Sequence, residues 1–125
     1  MYEISLIDNE KVVDSIGFYD SGNCITFDNS GVNIISINLF LKLYNEIDII
    51  DVVVKKKNIC NLKDVSYIEI SGIGNGEKYL SFVIDKMIVN GCNYLRPRIA
   101  VAMKNFDNYE CILHKEFVGG NWWEN

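Results

Sequence analysis

Three short stretches of this 125-residue chain carry side chains that could do chemistry. The first is Asp20-Ser21-Gly22-Asn23. A carboxylate and a hydroxyl sit in a glycine turn, right after the apolar run that ends at Tyr19. The second is Gly72-Ile73-Gly74-Asn75-Gly76, a glycine-rich turn between two β-rich runs. The third is Cys111-Ile112-Leu113-His114, where an apolar pair precedes the only histidine of the chain. Several other chemistries fit poorly. The glycine-rich turn lacks a following Gly-Lys-Ser/Thr, so it is not a phosphate loop. Cys24 has no partner base, since the histidine lies ninety residues on. The four cysteines, Cys24, Cys60, Cys92 and Cys111, form no CxxC and have one histidine to share, so no metal site is expected.

The elements that must position these residues are mostly strands. Tyr2–Ile7 and Val12–Phe18 flank Asp8-Asn9-Glu10 and predict an N-terminal hairpin. Ile25–Phe27 and Val32–Ile35 predict two short strands about the turn Asp28-Asn29-Ser30-Gly31. Phe40, Leu43, Tyr44 and Ile47 recur at helical spacing behind Ser36, a good N-cap, and predict one helix over Ser36–Ile47. Ile49–Val54 reads as a strand and Asn58–Asp64 as a loop. Ser66–Ser71 and Glu77–Val89 are β-rich, and Asn90-Gly91 is a strong two-residue hairpin signal leading into a strand over Tyr94–Met103. Cys111–Leu113 predicts a short strand, and His114–Val118 a helical turn. The expected fold is mainly β, a closed barrel with one or two short helices.

Length and composition set the outer limits. A chain of this size fits one domain and buries roughly two thirds of its unfolded surface. The expected division is a domain over 1–118 and a C-terminal tail over 119–125, which contains Trp122 and Trp123. Apolar residues make up 49% of the chain, too many for a disordered tail. The net charge of −5, with one basic cluster at Lys55-Lys56-Lys57, argues against nucleic acid as a partner. Met1–Glu10 lacks a secretory pattern, so the thiols are expected to be reduced. No apolar run reaches the roughly 20 residues that span a bilayer.

The three motifs, in this order, resemble those of retropepsin-type aspartic peptidases. They are most similar to the sporulation peptidases that process a sigma-factor precursor in spore-forming bacteria. Ile99-Ala100-Val101-Ala102 is similar to the strand that precedes the family's last motif. The resemblance covers Tyr2 to about Val118. It implies a retropepsin-like barrel and a homodimer in which Asp20 of each copy supplies half of a catalytic pair. It implies that Ser21, Gly22 and Asn23 support that loop, and that Gly72, Ile73, Gly74, Asn75 and Gly76 form a flap over a bound peptide. Ile112 and Leu113 would pack beneath the catalytic loop, and His114 would act behind it. The chain departs from retropepsins at Asn23, at His114 and in the long gap from Asp20 to Gly72; the first two match the sporulation branch.

The implied function is cleavage of a specific protein, a sigma-factor precursor, without a cofactor, and with activity that awaits a signal or activating partner. The alternative is a non-catalytic module that holds an extended peptide on the same fold. The expected location is the cytoplasm, or the cytoplasm-facing part of a membrane-anchored protein if the chain is a fragment.

Overall fold

The sequence alternates apolar and polar residues in short runs, and the described residues fold accordingly into ten strands and one helix. A computed structural model describes residues 1–20, 22–23, 25–45, 62–69 and 78–117. The strands are β1 (Tyr2–Asp8), β2 (Lys11–Tyr19), β3 (Thr26–Phe27), β4 (Ser30–Ile35), β5 (Lys63–Glu69), β6 (Lys78–Val83), β7 (Lys86–Val89), β8 (Cys92–Leu95), β9 (Arg98–Val101) and β10 (Cys111–Leu113). Helix α1 is Ile37–Leu43, and a 3-10 turn spans Lys115–Phe117.

The predicted hairpin is present, with Tyr2 opposite Gly17 and Asp8 opposite Lys11. Ser36 caps α1 by accepting the Leu39 N–H at 3.2 Å. The helix stops at its C-cap Tyr44, short of the expected Ile47. The run over Glu77–Val89 is two strands rather than one, since β6 and β7 part at Ile84-Asp85. The run over Tyr94–Met103 is also two strands. Arg96 takes a left-handed φ of 52° and Pro97 offers no N–H to a ladder, so β8 ends and β9 begins there. Asn90-Gly91 forms the expected tight turn, with φ of 48° and 85°. The predicted loop over Asn58–Asp64 already belongs to β5 from Lys63. The predicted strand Ile49–Val54 lies outside the described residues.

The expected barrel closure is not found. The strand order is β5-β6-β9-β4-β10-β2-β1-β7-β8, with β3 beside β4, so among the described residues β5 and β8 are the ends of one sheet. Strand β5 shifts register between Lys63 and Ser66, and Asp64 there has a φ of 49°. Strand β8 ends at Arg96-Pro97, and among the described residues no ladder joins the two end strands. One side chain beside β8 spans the gap: Arg96 Nη2 reaches the Asp64 carboxylate at 3.3 Å, while Arg98 of β9 donates Nη2 to the Asp64 carbonyl at 2.7 Å.

Both faces of the sheet are apolar near its centre. One face carries Leu6, Ile35, Phe82, Val101 and Leu113 and packs under α1 through Leu39, Phe40 and Leu43. The other carries Val32, Ile34, Ala100, Tyr79 and Ile68, covered in part by Ile25, Phe27 and Phe106. At the rim of the first face Asp8 is buried; its carboxylate accepts from Tyr44 Oη at 2.6 Å, Asp85 N at 3.1 Å and Lys63 Nζ. Lys63 also reaches Asp85 at 2.7 Å, so one lysine ties β1, β5 and the link between β6 and β7. Among the described residues no helix is long and apolar enough to cross a membrane.

Candidate active site

Asp20 follows β2, and its position is set by the strand beside it. β10 runs parallel to β2, with Cys111 opposite Gly17, Ile112 opposite Phe18 and Leu113 opposite Tyr19. Asp20 and His114 therefore leave the sheet from adjacent strands. On its other side β10 pairs with β4, Cys111 with Ile35 and Ile112 with Ile34. This brings the first and third sequence motifs together, 89 residues apart in the chain.

The Asp20 turn is held by its own backbone. Asn23 N–H donates to the Asp20 carbonyl at 2.9 Å, and Gly22 N–H donates to Asp20 Oδ1 at 2.9 Å. A Cβ on Gly22 would sit 3.2 Å from that carboxylate oxygen, a tight contact that would push the carboxylate by a few tenths of an ångström. Asp20 itself is half-buried, so its carboxylate is open to a partner or a water.

Asn23 anchors the turn to the sheet. It is 5% exposed. Its Nδ2 donates to the carbonyls of Val32 at 3.3 Å and Ile112 at 3.5 Å, and its Oδ1 accepts the Ile25 N–H at 3.2 Å. One buried amide thus fastens the Asp20 loop to both β4 and β10. A small apolar residue here would leave those backbone groups without these bonds.

Leu113 is buried against Gly17, where an added Cβ would meet Leu113 Cδ1 at 2.9 Å. Ile112 points to the opposite face, beside Phe18, so the two residues of the apolar pair do different work. His114 is 1% exposed. Its N–H donates to Asn33 Oδ1 at 2.7 Å, and its Nδ1 accepts the Glu116 N–H at 3.0 Å. The ring proton of the neutral form therefore sits on Nε2, which has no hydrogen-bond partner among the described residues. Burial holds His114 below the ordinary histidine value; Glu116 opposes that shift and Lys115 adds to it. The ring packs over Gly31, where a Cβ would fall 2.5 Å from Nδ1. Ser21, and the expected flap residues Gly72, Ile73, Gly74, Asn75 and Gly76, lie outside the described residues.

An aromatic shelf that starts at Phe18, two residues before Asp20, has no signature in the sequence. Phe18, 39% exposed, stacks on Tyr109 at 5.0 Å, and Tyr109 stacks on Phe106 at 5.3 Å. Phe18 belongs to an apolar run, but Phe106 sits among polar residues and looks like a loop. Only the approach of the 102–110 segment to β2 assembles the three rings. Beneath them Glu110 accepts from Ser15 Oγ and from Lys42 at 3.0 Å. Burial works to raise the Glu110 pKa, but these two bonds outweigh it and hold the group below the ordinary glutamate value.

The thiol of Cys111 is fully buried and burial pushes its pKa up, so it is no nucleophile. Among the described residues no cluster of three or more metal-ligating side chains forms. No protein-family model matches this chain, and no curated protein matches it.

Proposed function

We propose that the protein is an aspartic endopeptidase that acts as a homodimer, with one Asp20 from each copy at the two-fold axis. Peptide hydrolysis by carboxylates needs two of them around one water. The ionised one takes a proton from the water as it attacks the scissile carbonyl. The protonated one gives a proton first to the carbonyl oxygen and then to the leaving nitrogen. Two carboxyls about 3 Å apart share one proton, so their pKa values split without any metal. One chain offers a single Asp-Ser-Gly turn, so the pair requires a second copy.

The observation that carries this reading is the Asp20 turn itself. A half-exposed carboxylate is oriented by the Gly22 N–H and fastened by buried Asn23 to two central strands. That rigidity is what a carboxylate pair needs if it is to hold a water in line. The Phe18–Tyr109–Phe106 shelf, which starts two residues before Asp20, would give an extended substrate an apolar surface. The motif resemblance makes a sigma-factor precursor the substrate to try first.

The test is cleavage of that precursor, and of a mixed peptide library, by the wild type and by Asp20→Asn. The substitution should abolish turnover and leave the fold intact by circular dichroism. Retained cleavage ends the proposal. Among the described residues β5 and β8 are sheet edges without a further strand, which favours a second reading, a module that binds an extended peptide without cutting it. Peptide binding by a strictly monomeric protein, unaffected by Asp20→Asn, would select that one.

A further inference from the structure

Every second residue of β2 from Val12 to Phe18 is exposed: Val12, Asp14, Ile16 and Phe18 face outward. On β1, Ser5 stands opposite Asp14 and Glu3 opposite Ile16. Ile112 of β10, beside Phe18, joins this area to the face that carries Ile34. Two hollows open here, of about 490 and 390 Å3, and Ser15-Ile16 belongs to both. Glu3, Ser5 and Asp14 wall the first; Asp107, Glu110 and the rings of Phe106 and Tyr109 wall the second. Ile16, 38% exposed, is the apolar side chain they share. Neither hollow includes Asp20, Asn23 or His114.

The charge of this surface is one-sided. Asp14 Oδ1 accepts Ser5 Oγ at 2.6 Å, and among the described residues no lysine or arginine pairs with Glu3, Asp14 or Asp107. Of the four carboxylates only Glu110 is neutralised, by Lys42 at 3.0 Å. Lys86 stands on β7 opposite Ile7, toward the end of the face away from Glu3. A second copy is a poor occupant, since the chain has a net charge of −5 and the contact would set carboxylates against carboxylates. A cationic segment is a good one. Lysine and arginine heads are drawn to carboxylates and to the faces of Phe106 and Tyr109, and their apolar stems can lie along Ile16.

We propose that this surface holds a basic flank of the protein substrate: an extended segment whose lysine or arginine side chains enter both hollows while an apolar side chain between them packs on Ile16. Assigning the segment to a substrate rests on the peptidase reading; the binding itself does not. Reach supports the assignment. Ile16 lies four positions before Asp20, on a strand that continues to Tyr19. At about 3.3 Å per residue that is about 13 Å, the length of about four residues of extended chain. A chain cut at Asp20 can therefore cover Ile16 with residues that flank the cut bond. Phe18, stacked on Tyr109 at 5.0 Å, lies on the way.

The probe is a labelled peptide of Lys-Ser-Leu-Ser repeats, whose lysines and leucines share one face when extended, with a Glu-Ser-Leu-Ser counterpart. Binding is measured by fluorescence anisotropy on Asp20→Asn, which leaves bound peptide uncut. The lysine peptide should bind and the glutamate peptide should not, and added salt should weaken the binding severalfold. Asp14→Lys and Asp107→Lys should each weaken it severalfold, whereas Glu69→Lys, at an exposed position on β5, should leave it unchanged. With Asp20 intact, Asp14→Lys should raise KM for a substrate with basic flanks severalfold more than for one with neutral flanks. The inference is overturned if the glutamate peptide binds equally well, if neither reversal weakens binding, or if Glu69→Lys weakens it as much as they do. Cleavage with a KM blind to flanking charge also overturns it and leaves the peptidase reading standing. Binding that obeys these rules in a protein that cleaves nothing upholds the surface and ends the peptidase reading.

Discussion

Replacing Asn23 by alanine separates the roles of the loop and the carboxylate it carries. The side chain makes three hydrogen bonds, at 3.2, 3.3 and 3.5 Å, all to backbone groups of β4, β10 or its own loop. Two of them are long, so each is worth about 0.5–1 kcal/mol net, and the sum is about 2 kcal/mol. For a domain of this size that loss lowers Tm by about 6–10 °C. A domain stable by about 5–15 kcal/mol would still be almost wholly folded at 25 °C. Any loss of activity at that temperature is then a positioning effect. A catalytic group that drifts by a fraction of an ångström commonly loses about tenfold or more in rate, so kcat should fall by at least that much. The assay pairs calorimetric melts with kcat on a cleaved peptide. A variant that melts with the wild type would show that Asn23 does not fasten the loop. One that melts early but keeps full kcat would show that the fastening has no bearing on Asp20.

Lys63→Met should cost about 2 kcal/mol, the low side for a broken buried pair because Lys63 is a third exposed, and urea titration measures it. Partners hold Asp85 below the ordinary aspartate value, Lys63 foremost, so its share of stability is present above pH 3.8 and is lost as the pH falls. Lys63 is raised despite the burial that opposes it, by bonds to Asp8 and Asp85; its share holds below pH 10.5 and fades in more alkaline solution. The wild-type urea midpoint should thus fall at both extremes, and Lys63→Met should flatten both limbs. His114 is held below its ordinary value by burial, so its neutral form is the folded one and stability should drop as the pH falls below 6.5. His114→Asn keeps an acceptor for the Glu116 N–H and should remove that slope in midpoint-versus-pH plots. Tyr109→Ala removes the middle ring of the shelf and should raise KM for peptides severalfold with little change in kcat, as steady-state kinetics would show.

Much of the fold was legible because local chemistry sets it. The Asn90-Gly91 turn, the Ser36 cap and the Tyr2–Tyr19 hairpin all follow from residues within a few positions of one another. The two strand breaks were legible in principle. Pro97 marks the second, yet the apolar run on each side of it hid the interruption. Closure was not legible, because whether the end strands meet is set by long-range register, and neither the irregularity at Lys63 nor the left-handed Arg96 has a sequence signature. The site divides in the same way. Asp20 and Gly22 stand in a recognisable turn. The role of Asn23 depends on carbonyls of Val32 and Ile112, and the aromatic shelf depends on a loop that looks unremarkable until it docks. Long-range partners of this kind leave no periodic trace in the chain.

That dependence also orders the assembly of the site. The β1–β2 hairpin closes over a two-residue turn and needs no other element. The Asp20 turn is complete only when β10 has slotted between β2 and β4, which joins residues 89 positions apart. Closing so long a loop is entropically costly and is a late step in folding. Both partners of β10 are central, so its three residues Cys111–Leu113 fasten the two halves of the sheet to each other. A chain truncated before Cys111 could keep its hairpins, but it would lose the Asn23–Ile112 bond, the His114 contacts and the strand that sets the direction of Asp20. The placement of the carboxylate is thus a property of the whole fold, and a turn with the same tripeptide on an isolated hairpin would not reproduce it.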